Sequence, residues 1–326
     1  MVNERVLITG GSGSVGKNLI PILLELHYDV YCLERYVTAR YILGEKRPVK
    51  TVFGDIRDYF AIRSIIRDIK PEYVIHLAAI SSVAYSYNHS NEVIDTNFLG
   101  TVNLAEACLR EIPHFKQFLF AGSSEEYGNQ EDFPIKETAE LRPNSPYAVS
   151  KVASDKYLQF MRDAYGFPMT ILRNFNTYGR KDNTLYVVER MIVQMLNDKD
   201  ICLGDPKPIR DFSYIDDHVN SYSTCLGNEK AKGECFNFCT GFGVSIEQLI
   251  NYISKLTNFS GKINWHSLPE RPLDIRKIIG DNTKAKLILD WKPKYTLEEG
   301  LKLTVNFWRT KLQEEKNGKK PGFLCR

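Results

Sequence analysis

Short apolar runs alternate with amphipathic stretches through the first half of the chain. Arg5-Val6-Leu7-Ile8-Thr9 reads as a strand and runs into the glycine-rich turn Gly10-Gly11-Ser12-Gly13-Ser14-Val15-Gly16. A helical pattern follows from Val15 to about His27. Strand-like runs recur at Val30 to Leu33, Val49 to Phe53, Tyr73 to Leu77, Gln117 to Ala121 and Met169 to Leu172. Between them, Ile62, Ile65, Ile66 and Ile69 mark one helix, Asn91 to Arg110 a long one, and Tyr147 to about Ala164 another. Such alternation predicts an α/β fold built on a doubly wound parallel sheet. Ligands of such sheets sit at the carboxyl ends of the strands, where strand order reverses. The glycine turn, Ser123 and Glu125 all follow strands at that edge.

After Asn176 the pattern changes. Prolines cluster (Pro206, Pro208, Pro269, Pro272), loops lengthen, and brief strands such as Cys235 to Phe238 separate the helices. This predicts a dinucleotide-binding domain over 1–175, to which elements from about 212–240 return. A smaller mixed α/β substrate lobe covers 176–312, and a polar tail 313–326.

Charge adds little: 43 basic against 40 acidic residues give a net +3, too even to imply nucleic acid as a partner. No apolar run reaches the roughly 18 residues that a membrane span needs. The N-terminus has no signal-peptide anatomy, which favours a cytoplasmic protein. Seven scattered cysteines suit buried free thiols in a reducing compartment, and none has the partners of a metal site.

Chemistry is carried by two motifs. Gly10, Gly13 and Gly16 form Gly-x-x-Gly-x-x-Gly between strand and helix, where backbone N–H groups, with Ser14 and Val15 opening the helix, approach a pyrophosphate. Glu34 ends the second strand, positioned to accept from ribose hydroxyls and favour NAD; Arg35 beside it would instead favour NADP. Asp55-Ile56 is placed to meet the adenine, and Ala78-Ala79 to line its channel. The second motif is Tyr147 and Lys151, four apart on one helix face. There an ammonium can lower a phenol pKa that is ordinarily about 10, so that the phenol takes an alcohol's proton while a nicotinamide takes its hydride.

Together with Gly54-Asp55, His76-Leu77-Ala78-Ala79, Asn97-x-x-Gly100-Thr101, Ser123-Ser124-Glu125-Glu126-Tyr127-Gly128, Arg173-x-x-Asn176-x-Tyr178-Gly179, Arg210-Asp211-Phe212 and Arg271-Pro272, these motifs make the chain resemble the extended short-chain dehydrogenase/reductases. The resemblance is to their nucleotide-sugar epimerase/dehydratase branch, which implies a Rossmann-like domain and a nucleotide-sugar substrate. It spans Val6 to about Phe307. It implies that Tyr147 is the acid/base at the sugar C4 hydroxyl, that Ser123 hydrogen-bonds the same oxygen, and that Lys151 holds the nicotinamide ribose. Ser81, Asn97, Asn176, Arg210 and Arg271 fall at expected substrate positions. Arginine suits that task because its fork matches phosphate oxygens; Arg210 or Arg271 pairing with Asp211 or Asp274 is the structural alternative. The resemblance also implies a homodimer through a four-helix bundle, with Val102, Ala105 and Leu109 as candidate contacts.

Glu125 bears on the reaction. A 4,6-dehydratase must remove the C5 proton and expel the C6 hydroxyl, and a carboxylate supplies the base. Ser-Ser-Glu-Glu-Tyr-Gly resembles the Ser-Glu form found in GDP-mannose 4,6-dehydratases. It also resembles the 4-keto-6-deoxymannose reductases, and a simple 4-epimerase needs no Glu125. Ser124 stands where the family has an acid for the departing hydroxyl, which would require a relay. Glu126 reads as a solvated loop carboxylate pointing away from Glu125. A non-catalytic dinucleotide-binding regulator is the reading from a different class, and retention of Ser123, Tyr147 and Lys151 argues against it.

Overall fold

The computed structural model describes residues 3–37, 49–197, 200–268 and 271–318. Seven parallel strands form the main sheet: β1 (Arg5–Thr9), β2 (Asp29–Glu34), β3 (Lys50–Phe53), β4 (Tyr73–His76), β5 (Gln117–Ser123), β6 (Met169–Asn174) and a strand from late in the chain, Glu234–Phe238. Val6, Leu7 and Ile8 are wholly buried, as are Val74 and Ile75. Their unbroken apolar runs follow from helices covering both sheet faces. The order is Glu234–Phe238, β6, β5, β4, β1, β2, β3. It reverses between β1 and β4, so the glycine turn after β1 and Ala78 after β4 flank the switch point.

Helices form where the sequence marks their ends. Ser145 caps the helix Pro146–Tyr165 by accepting from the Ala148 N–H, Pro146 opens it, and Gly166 closes it in the left-handed region. Asp58 caps Tyr59–Ile69, whose Ile62, Ile66 and Ile69 face the core. The long helix expected over Asn91 to Arg110 is not uniform. It runs as Ser90–Ile94, a wide π turn at Asp95–Leu99, then Gly100–Glu111. The extra residue of a π turn rotates the side chains that follow, and here it buries Asn97 against the Tyr147 helix.

Past β7 (Asn176–Tyr178) and β8 (Ile201–Cys202), the strand β9 (Ile209–Tyr214) leads into the helix Ile215–Cys225, which packs on Ser14–Glu25. Glu234–Phe238, now β10, completes the main sheet beside β6. A second sheet joins β9 to β7, to β11 (Gly243–Ser245) and, beyond β12 (Ile263–Asn264), to β13 (Lys277–Ile278). The two parts share a small core of Tyr127, Ile135, Phe175, Cys239, Ile275 and Ile278. The last helix, Leu297–Lys316, extends beyond the 312 boundary read from the sequence, and the rest of the expected tail, from 319 on, lies outside the described residues. Four thiols are buried (Cys32, Cys108, Cys225, Cys239), but Cys202 is exposed, and all are free; Cys325 lies outside the described residues.

Candidate active site

The glycine turn is held by backbone proximity. A Cβ on Gly16 would come within 2.5 Å of the Gly11 carbonyl oxygen, and one on Gly10, at φ +70°, within 3.0 Å of the Ala78 backbone. Any side chain there would push the helix off the sheet. Gly13 caps the helix Ser14–Glu25 without a side-chain hydrogen bond, so the first N–H groups there have no side-chain acceptor in the cap. The Glu34 carboxylate, 5% exposed, accepts from the Ser12 N–H and hydroxyl, both at 2.8 Å. Burial raises its pKa, and the Ser12 and Gly11 donors oppose the rise. Arg35 turns to Asp55 (3.2 Å), which Arg57 also holds at 2.6 Å. The hydrogen bond from Arg57 is the main reason the Asp55 carboxyl lies below its ordinary value. Ile56 is buried beneath Gly100, where a Cβ would strike it at 2.6 Å.

At the end of β5 the chain turns into a short 3-10 helix, Ser124–Tyr127. Ser123 Oγ accepts from the Glu125 N–H (3.2 Å), leaving the hydroxyl proton free to donate. Its hydrogen bond to the Tyr147 phenol pulls that group's pKa down, but burial outweighs it, and Tyr147 lies well above the usual phenol range. Lys151 makes no hydrogen bond to that phenol. The Lys151 ammonium donates instead to the Ala121 carbonyl (2.8 Å), lies 6.0 Å from the Tyr147 ring centroid, and is pulled by burial down to about 8. Ser150, beside it, anchors to Asn97, so helix register and ammonium position are set together.

Asn97 is therefore a correction. Its Oδ1 accepts from the Ile80 N–H, and its Nδ2 donates to the Ile80 carbonyl and Ser150 Oγ. Both amide hydrogens are used and the side chain is buried, so Asn97 fastens the loop after β4 to the Tyr147 helix. Ser81 pairs with the Tyr186 hydroxyl across the cleft (2.7 Å). Ser124 is buried, and Glu125 is half-buried, its pKa raised by burial while Arg210 and Arg271 draw it down. Glu126 is not a solvated loop carboxylate: it is fully buried and accepts from the Ser123 N–H at 2.6 Å.

Facing this rim, Asn176 has a buried Oδ1 with no hydrogen-bond partner. Arg210, 7% exposed, reaches Asp274 at 3.3 Å, and Arg271 reaches the same oxygen at 3.6 Å. Asp211 does not pair with them; it accepts from the Thr240 hydroxyl and N–H and the Gly241 and Gly280 N–H groups. Sequence reasoning missed Arg190. Burial, and then Arg271, lower its pKa, and its buried Nε has no hydrogen-bond partner. A helical arginine between Glu189 and Met191 carries no sequence signal of that placement.

A buried tyrosine–lysine pair on a doubly wound sheet, opposite a wall of arginines, defines a nucleotide-sugar-type short-chain dehydrogenase/reductase site. The chain belongs to the GDP-mannose 4,6-dehydratase family, whose model matches residues 7–304, within the nucleotide-sugar epimerases and dehydratases. These are enzymes, and the chain is one of them. It is 28% identical to a dTDP-D-glucose 4,6-dehydratase of Bos taurus, over 97% of this chain and 92% of that one. It is 33% identical to a UDP-glucose 4-epimerase of Thermotoga maritima solved with UDP-glucose, covering 94% and 99% of the two chains with a TM-score of 0.88. A Thermus thermophilus UDP-glucose 4-epimerase solved with NAD is 28% identical, with coverage of 94% and 99% and a TM-score of 0.85.

Proposed function

We propose that the enzyme is a nucleotide-sugar 4,6-dehydratase using NAD, with GDP-mannose-like substrates favoured by the Ser-Glu form of its loop. The observation that carries this reading is Glu125, a half-buried carboxyl two residues beyond Ser123 on the turn that faces Arg210 and Arg271, its pKa raised by burial. The glycine turn, the backbone of Ala78 and the Glu34 carboxylate fit a dinucleotide, and Arg35, committed to Asp55, leaves Glu34 as the ribose-facing charge. NAD, when bound, would take the C4 hydride and later return it to C6. Tyr147 would accept the C4 hydroxyl proton at its phenolic oxygen, with Ser123 donating to the same sugar oxygen. Lys151 would hold the nicotinamide ribose. Glu125 would remove the C5 proton and pass it to the departing C6 hydroxyl, since the Ser124 hydroxyl is too weak an acid to act alone; once the hydride is at C6, the proton that Tyr147 took from the C4 hydroxyl would balance the reprotonation of C5. Asn176, Arg210 and Arg271 would grip the diphosphate, with Ser81 at the sugar side.

The second reading, a 4-epimerase, is favoured by Ser124, which stands where an acid would protonate the leaving hydroxyl; Glu126, the next carboxyl on the turn, is buried against the Ser123 N–H. Mass spectrometry of products from GDP-mannose, UDP-glucose, UDP-N-acetylglucosamine, dTDP-glucose and CDP-glucose tests the two. Loss of one water supports dehydration and names the nucleotide. An isomer of unchanged mass makes the enzyme an epimerase, and the absence of both products moves the 4-keto reductase to the front. Glu125→Gln should stop water loss while C4 oxidation persists; unchanged water loss removes Glu125 as the base.

A homodimer is part of the same reading. Exposed apolar Leu99, Val149 and Phe160 lie along the π turn and the Tyr147 helix, the elements of the expected four-helix bundle. Ala105 belongs instead to the chain's own core, and Leu109 packs partly against it. Among the described residues, no helix is long and apolar enough to cross a membrane.

A further inference from the structure

Behind Ser123 lie two buried carboxyls and one guanidinium. Arg173 spends its hydrogens on Asp155 Oδ2 (Nε at 3.0 Å, Nη2 at 2.9 Å), on the Tyr127 hydroxyl (2.9 Å) and on the Glu137 carbonyl (3.3 Å). Glu126 Oε1 holds the Ser123 N–H. Glu126 Oε2 is 3.3 Å from Arg173 Nε, yet has no hydrogen-bond partner, because that N–H is directed at Asp155. Glu126 and Asp155 are both wholly buried and within hydrogen-bonding reach of each other. With both ionised, the cluster would carry one negative charge more than Arg173 balances, with an oxygen lacking a donor. One proton on Oε2, donated to Asp155, cures both defects.

Resting on the reading of Ser123 and Tyr147 as catalytic, we infer that Glu126 is a positioning residue that works in its protonated form, sharing one proton with Asp155 while its other oxygen fixes the Ser123 backbone. Burial, then Asp155, raise the Glu126 pKa. The charged and titratable groups facing it are Asp155, Lys151 and Tyr147 on the Tyr147 helix, Arg173 on β6 and Cys235 on β10. An ionised Glu126 would push the Tyr147 phenol further from ionisation and favour the charged form of Lys151. Neutrality at Glu126 therefore keeps Tyr147 usable, while its carbonyl oxygen keeps Ser123 in place.

Infrared difference spectra of the whole protein, titrated from neutral to alkaline pH, test the proton without any substrate. A protonated-carboxyl stretch that fades with rising pH and is missing in Glu126→Gln is expected. No such band, or one that persists in Glu126→Gln, overturns the inference. Kinetics on the nucleotide sugar found by the product screen test positioning. Glu126→Leu should lower kcat about tenfold with KM nearly unchanged, and Glu126→Gln should recover most of that loss with a weaker alkaline decline. A Glu126→Gln variant as poor as Glu126→Leu, or a loss confined to KM, overturns it. Tyr147→Phe is the control: if it still turns over, the reading of the site has failed, whatever the infrared band shows.

Discussion

The two walls of the cleft are built differently. On the sheet side, Ser123, Tyr147 and Lys151 are buried and tied to the backbone through the Glu125 N–H, Asn97 and the Ala121 carbonyl. On the lobe side, Arg271 is exposed, Arg210 shares one carboxylate oxygen with it, and the buried Nε of Arg190 has no hydrogen-bond partner. Proton transfer at C4 needs its groups fixed to fractions of an ångström, which short side chains on a strand end and a capped helix provide. Holding a diphosphate, the role proposed for the lobe side, needs charge and reach, which long arginine side chains provide, Arg210 from β9, Arg190 from the helix Val187–Leu196 and Arg271 from a loop. On the proposed function, the difference teaches that the reaction and the choice of substrate would be housed in separable parts.

Tyr147→Phe should break the sheet-side wall most severely, lowering kcat about a thousandfold with little change in substrate affinity, as read by steady-state kinetics and calorimetry. Were affinity to fall with kcat, the walls would not be separable. Next, Arg210→Ala should raise KM roughly thirtyfold at nearly constant kcat, because a buried guanidinium is lost along with the proposed phosphate grip. Arg271→Ala, at a more exposed position, should cost only about fivefold. Equal effects would mean that burial does not grade the arginines.

The smallest effect concerns stability. Lys151 is held in the fold at about 8 against an ordinary 10.5, so the folded chain binds fewer protons than the unfolded chain between those values. Stability contributed by this group should therefore rise with pH from about 8 to 10.5 and be flat above. Lys151→Met should remove that rise and make the protein more stable at neutral pH, although inactive. Denaturant melts across that window measure it; a rise that survives in Lys151→Met belongs to another group.

Much of the sheet was legible because its signals are local. Three adjacent apolar residues in β1 and a Ser145-Pro146 helix start need no distant partner to be recognised. The glycine turn was equally open, since the spacing of Gly10, Gly13 and Gly16 states which backbone must come close. Asn97 was misread because a polar residue in a helix has the same spelling whether it faces a substrate or a neighbouring loop. Glu126 was misread for a related reason: adjacent carboxylates on a 3-10 turn point in different directions, and only the packing of β6 and the Tyr147 helix buries one of them.

What the sequence by itself determined, then, is the order of strands and helices, the glycine turn and the placing of Tyr147 and Lys151, the proposed acid/base pair, on one helix. Each depends on periodicity or short-range spacing along one segment. Only the tertiary structure decided which carboxyl is buried, which arginine is paired and where the Lys151 ammonium points. Those outcomes depend on desolvation and on charges brought together from residues as distant as Glu126 and Asp155, or Arg210 and Asp274, and no local pattern encodes them.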